Sequence, residues 1–152
     1  CIFTLKNVYI YTMPQNKANP KETQPDMLHE PVVAYGSANY FALAGRSVSK
    51  NYVQRIMALS GLTVTELIDI LPISIDTYKR KTVFQPPVTE KILEIEEVYR
   101  AGIEAFGEGF HAWMNTENLA LGGIKPKQML SNSFGIRTLL NQIGRMQHGV
   151  LA

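Results

Sequence analysis

The sequence reads as an all-α protein, and three observations carry that reading. From Ser47 onward, apolar residues recur at three- and four-residue steps, the spacing of helices that each bury one face. Glycine and proline punctuate these runs at their ends, at Gly61, Pro72, Pro86, Gly107, Gly122 and Gly149. A serine or threonine heads most of them, where its side-chain oxygen can accept from a first-turn N–H.

Composition frames what the chain can be. Its 152 residues suffice for one compact unit or two small ones sharing a core. With 45% hydrophobic and 18% charged residues it has the make-up of a soluble globular protein, which excludes wholesale disorder. The one cysteine, Cys1, forms no internal disulfide, so nothing points to an oxidising compartment. No apolar run approaches the ~18 residues of a membrane helix. Residues 2–11 are apolar but lack the charged start and cleavage site of a signal peptide. A cytoplasmic protein with no membrane partner is expected. The net charge of +2 is unevenly spread: residues 90–117 hold two bases against seven glutamates. Residues 118–152 carry Lys125, Lys127, Arg137 and Arg145 and no acid. That basic end suits an anionic partner, and equally an ordinary solvated face.

Residues 1–35 read as an N-terminal arm, partly disordered. Residues 1–12 precede Met13, whose polar, proline-bearing context looks like a natural start, so they read as upstream translated sequence or a mis-called start. Val8, Tyr9, Ile10 and Tyr11 have strand propensity. Pro14, Pro20, Pro25 and Pro31 then keep the arm extended. A short apolar patch, Tyr40, Phe41 and Leu43, ends at Gly45.

Ser47 or Ser49 caps a helix with Tyr52, Val53, Ile56, Met57 and Leu59 on one face, closed by Gly61. Thr63 or Thr65 starts the next, with Val64, Leu67, Ile68 and Leu71 buried and Pro72 as its stop. Ser74 caps a third, short and basic. This layout is that of a helix-turn-helix, and in such a unit the first turn of the second helix faces base edges. Ser74, Asp76 and Thr77 are therefore candidates for base contact, with Tyr78, Lys79, Arg80 and Lys81 nearer phosphates. Asp76 would itself repel phosphate. Spacing alone leaves a second reading open, a plain three-helix bundle with a solvated Lys-Arg-Lys end.

Pro86-Pro87 opens the longest helix, to about Gly107, with Val88, Ile92, Ile95, Tyr99, Ile103 and Phe106 as its buried stripe. It reads as a spine joining the two halves, or as a dimer seam. Gly102 within it permits close packing or a bend. Beyond it, Phe110, Trp113 and Met114 form one apolar face, and Leu119 and Leu121 anchor a loop broken at Gly122-Gly123. Pro126 opens a short helix through Leu130. Ser131 or Ser133 caps the last helix, whose buried stripe is Phe134, Leu139, Leu140, Ile143 and Met146, and Gly149 supplies a left-handed end.

No catalytic constellation stands out, and no enzyme is expected. His29, His111 and His148 are scattered, without companions at metal-ligand spacing, so neither metal nor cofactor is implied. Glu94, Glu96 and Glu97 could flank a site, but on an exposed helix they are solvated. His111, before Trp113, reads as a surface or packing residue.

One resemblance adds to this. Phe106-Gly107, Trp113, Leu121-Gly122-Gly123, Pro126, Leu130, Gly135, Arg145 and His148-Gly149 resemble, in order and spacing, the C-terminal domain of the MbcA/ParS/Xre antitoxins. Lys125 departs from the Thr or Ser that often precedes Pro126 in that family, and a side-chain cap worth ~1 kcal/mol goes with it. The preceding half resembles the family's Xre-like helix-turn-helix. The resemblance implies an Xre-like unit over residues 36–102 and a toxin-binding domain over 103–152. It implies a type II antitoxin that grips a RES-domain toxin, an NAD-consuming enzyme, and lays its end across the toxin's active-site entrance. Arg145, Gln147, His148, Gly149, Val150, Leu151 and Ala152 are the matching positions. Operator DNA, bound as a homodimer, is the second partner expected. The rival reading is a transcription regulator whose C-terminal half only dimerises.

Overall fold

The computed structural model describes residues 27–28 and 37–149. Within them the chain runs as strand β1 (Met27–Leu28), helix α1 (Ser37–Ala44), strand β2 (Ser47–Ser49) and helices α2 (Lys50–Ser60), α3 (Val64–Ile70) and α4 (Ile75–Arg80). Strand β3 (Val83–Phe84) precedes helices α5 (Pro86–Phe106) and α6 (Gly109–Asn115). Two 3-10 segments, Leu119–Leu121 and Pro126–Ser131, lead into the last helix, α7 (Ser133–Gln147). Helix dominates, as the spacing predicts. The addition is a small sheet of order β1-β2-β3, with β1 parallel to β2 and β2 antiparallel to β3. Strands of two or three residues carry too little alternation to register as a period. Apart from Met27–Leu28, the expected N-terminal arm lies outside the described residues.

Local chemistry sets the helix ends. Ser49 accepts from the Tyr52 N–H, Thr63 from Glu66 and Ser74 from Thr77, each in the extended conformation of an N-cap. Glu66 reaches back to the Thr63 N–H, completing a capping box. Gly61 closes α2 at a φ of 69°, its N–H bonded to the Met57 carbonyl.

Helix α5 is the centre of the molecule. It packs against α1, α2, β2, α6 and α7, so the single stripe expected becomes a helix buried on most sides: Thr89, Leu93, Glu96 and Val98 are buried together with Val88, Ile92, Ile95 and Tyr99. One apolar core runs unbroken from Val48 to Ile143. Gly102 allows the close approach read from the sequence, since the Phe110 ring occupies the space a Cβ would need. Phe110 in turn meets Tyr99 edge-on at 5.6 Å and stacks on Trp113 at 5.5 Å.

Several expected positions differ. Val64, on the first turn of α3, is exposed. Leu119 is no anchor at 94% exposure; Leu121 alone turns inward, half-buried. Phe134 is 78% exposed, because α7 seats Gly135 and Ile136 against the core and that rotation puts Phe134 on the opposite side. The α7 cap is neither Ser131 nor Ser133 but Asn132 between them, whose Oδ1 accepts from Gly135 N at 2.9 Å.

Candidate functional site

The first candidate surface is the pair α3 and α4 with the turn between them. Ser74 and Thr77 are tied by a hydroxyl pair at 3.0 Å, and the Ser74 oxygen also caps α4. Asp76, Lys79, Arg80 and Lys81 are exposed on one short helix, and Thr77 is half-buried. Tyr78 is placed otherwise: it is buried, stacked on Phe84 at 5.8 Å, with its hydroxyl toward the Met57 sulfur at 3.5 Å. Its ring serves the core and does not reach a phosphate. Lys50, which no spacing argument singles out, sits 4.8 Å over that ring and donates to the Lys79 carbonyl at 3.2 Å. It thereby adds a cation at the C-terminal end of α4, the favourable end for one.

The second is the C-terminal lobe. Asn118 and Ile124 pair as an isolated bridge around Gly122 and Gly123, whose φ values of 78° and 77° supply the reversal. Pro126 is buried at the head of its 3-10 segment, and the Gln128 side chain accepts from the Lys125 N–H at 3.1 Å. His111, read from the sequence as a surface or packing residue, packs: its Nε2–H donates to the Leu59 carbonyl at 2.9 Å, joining α6 to α2. Arg145, Gln147, His148 and Gly149 lie exposed at the end of α7, with Gly149 at a φ of 68°. Val150, Leu151 and Ala152 lie outside the described residues.

The two surfaces are tied together. Lys127 pairs with Glu66 of α3 at 2.6 Å, and the Lys127 bond, with the Thr63 bonds behind it, lowers the Glu66 pKa to about 2. Lys79 and Arg80 of α4 and Arg137 and Arg145 of α7 remain exposed. A cleft of about 300 Å³ opens between α5 and the start of α7, lined in part by Glu90, Lys91, Glu94 and Ser133. There Lys91 and Glu94 are already paired at 2.5 Å, and Ser133 donates to the same carboxylate at 3.0 Å. Those groups satisfy one another rather than converge on a substrate. Among the described residues, no cluster of histidine, cysteine and carboxylates could hold a metal ion, and no helix is long and apolar enough to cross a membrane.

What stands is a helical protein with a short helix pair whose second helix carries Lys79 and Arg80, and a small lobe that ends in a basic, acid-free helix. Residues 101–149 match the antitoxin Xre/MbcA/ParS C-terminal toxin-binding domain. A chain in the crystal structure of the M. tuberculosis MbcT-MbcA toxin-antitoxin complex shares the fold, with a TM-score of 0.52 at 21% identity over 68% of this chain and 96% of that one. No curated protein matches the chain in sequence.

Proposed function

We propose that this chain is the antitoxin of a type II pair: it binds and neutralises a cognate RES-domain toxin and, as a homodimer, holds the operator of its own operon. The observation that carries the reading is the toxin-binding domain matched over residues 101–149, within which Arg145 is exposed and Gly149 takes a left-handed φ of 68° after α7. Neutralisation in this reading is steric. Residues 150–152 enter the mouth of the toxin's active site while Arg145 pairs with carboxylates at its rim. The chain itself performs no catalysis. The division into a helix-turn-helix unit over residues 36–102 and a toxin-binding unit over 103–152 belongs to the same proposal.

Deleting residues 150–152 is expected to abolish inhibition of the toxin's NAD consumption while leaving the complex intact on a sizing column. Full inhibition by the truncated chain would sink the occlusion mechanism. The DNA half is tested separately. Lys79→Ala with Lys81→Ala is expected to lower the salt slope of operator binding by about one or two phosphate contacts. An unchanged slope, read by fluorescence anisotropy over a salt series, would place that cluster against solvent and leave the rival reading of C-terminal dimerisation to be tested by the sizing experiment.

A further inference from the structure

The solvent-facing side of α7 has a composition that folding does not require. On a 3.6-residue helix Phe134, Arg137, Thr138, Asn141, Arg145 and His148 fall within an arc of about 100°, over roughly 21 Å of length. All six are exposed, while Gly135, Ile136, Leu139, Gln142 and Ile143 face the core. Phe134 stands 78% exposed with the Arg137 guanidinium 5.7 Å over its ring. That pairing presents a flat, partly desolvated aromatic and a cation together. Neither Arg137 nor Arg145 is ion-paired with a described residue, and residues 118–152 supply no acid. Glu94 on α5 is held by Lys91 and by Ser133, the first residue of α7.

We propose that this stripe is the main docking surface for the toxin, seated on a furrow of the toxin that carries carboxylates opposite Arg137 and Arg145 and an apolar pocket for Phe134. The inference rests on the toxin-binding reading above and adds to it a division of labour: the stripe supplies affinity, the tail supplies inhibition. Aromatic and arginine side chains are the residue types that dominate interface energies when they become buried. Here both already lie within the matched toxin-binding residues. An Arg-flanked aromatic left in water, on a helix whose other face is fully used, gains contacts only by burial in a partner.

The test is titration calorimetry of the full chain with the purified RES-domain protein encoded in the same operon. Phe134→Ala is expected to weaken binding by about tenfold or more, and Arg137→Glu with Arg145→Glu by about a hundredfold, with a flatter salt dependence. The chain lacking residues 150–152 should bind nearly as tightly as the full chain. These positions are exposed, so thermal melts of the variants should match the parent. Wild-type affinity that does not fall between low and high salt overturns the carboxylate furrow without recourse to any variant. Tight binding by the stripe variants, with the parent also bound, overturns the stripe and leaves the toxin-binding reading standing. No binding by the parent overturns both. Loss of operator binding in the arginine variants with toxin affinity unchanged makes the stripe a nucleic-acid surface instead, and overturns the proposal.

Discussion

Replacing Glu96 by alanine is expected to lower the free energy of unfolding by about 3 kcal/mol or more, the range found when one member of a buried ion pair is removed. Glu96 is completely buried at the middle of α5. Its Oε2 accepts from the Tyr52 hydroxyl of α2 at 2.5 Å, and its Oε1 accepts from Arg100 Nε, one turn further along α5, at 2.6 Å. Tyr40 of α1 lies within the field of the same group: its hydroxyl is pushed up to about 12, by burial first and by the Glu96 charge second. One carboxylate thus joins three helices, and its loss leaves the Tyr52 hydroxyl buried beside a cavity. The Arg100 side chain is 37% exposed and can turn to water, which sets the effect at the low end of the range for buried pairs. Glu96→Gln keeps an acceptor for Tyr52 and should cost roughly 1–3 kcal/mol, less than alanine. Chemical denaturation followed by circular dichroism measures both. A Glu96→Ala loss below about 1 kcal/mol would show that water reaches the carboxylate, contrary to its burial here.

Gly135→Ala should be nearly as damaging for a different reason, by about 2–3 kcal/mol, the upper end for an overpacked core. A Cβ at this position would overlap the carbonyl oxygen, carbonyl carbon and Cα of Met129. Those are backbone atoms, so no rotamer change relieves them. Either α7 or the 3-10 segment Pro126–Ser131 must move, and the Asn132 cap on the Gly135 N–H moves with them. The nearest atoms that Gly102→Ala would meet belong to the Phe110 ring, a side chain, so it serves as the milder comparison. Because the shift reaches the stripe of α7, Gly135→Ala should also weaken partner binding. A melting temperature equal to the parent's would show that the two segments are not locked at this point.

Much of this was legible in the residues because it was written locally. Ser49, Thr63 and Ser74 are caps whose partners lie three residues on, and Gly61 and Gly149 are helix ends that need a left-handed φ. The length and centrality of α5 followed from an apolar repeat sustained over its whole span. The larger failures are matters of distant partners. Arg100 one turn on gives Glu96 a local partner, but nothing within α5 marks it as buried until Tyr52, forty-four residues earlier, is brought beside it. Tyr78 reads as a surface residue of a basic helix until Phe84 folds back to stack on it. Phe134 counts as apolar in any periodic reading, yet the backbone of Met129 admits only glycine on the inward side, and that fixes α7's rotation with Phe134 outside. Of the residues read as sites, Lys79, Arg80, Lys81 and Arg145 are exposed, whereas Phe134, the aromatic of the α7 stripe, reads from the sequence as a core residue.

The position of α5 bears on how such chains can be recombined. A cut at residues 102–103 falls inside that helix, five residues before Gly107, and the side chains on both sides of the cut share one continuous core. A lobe transplanted from a relative without its own copy of Pro86–Phe106 would meet foreign side chains at every layer. Swaps of partner preference between such proteins therefore have to exchange the central helix as well, or else confine themselves to the outward residues of α7.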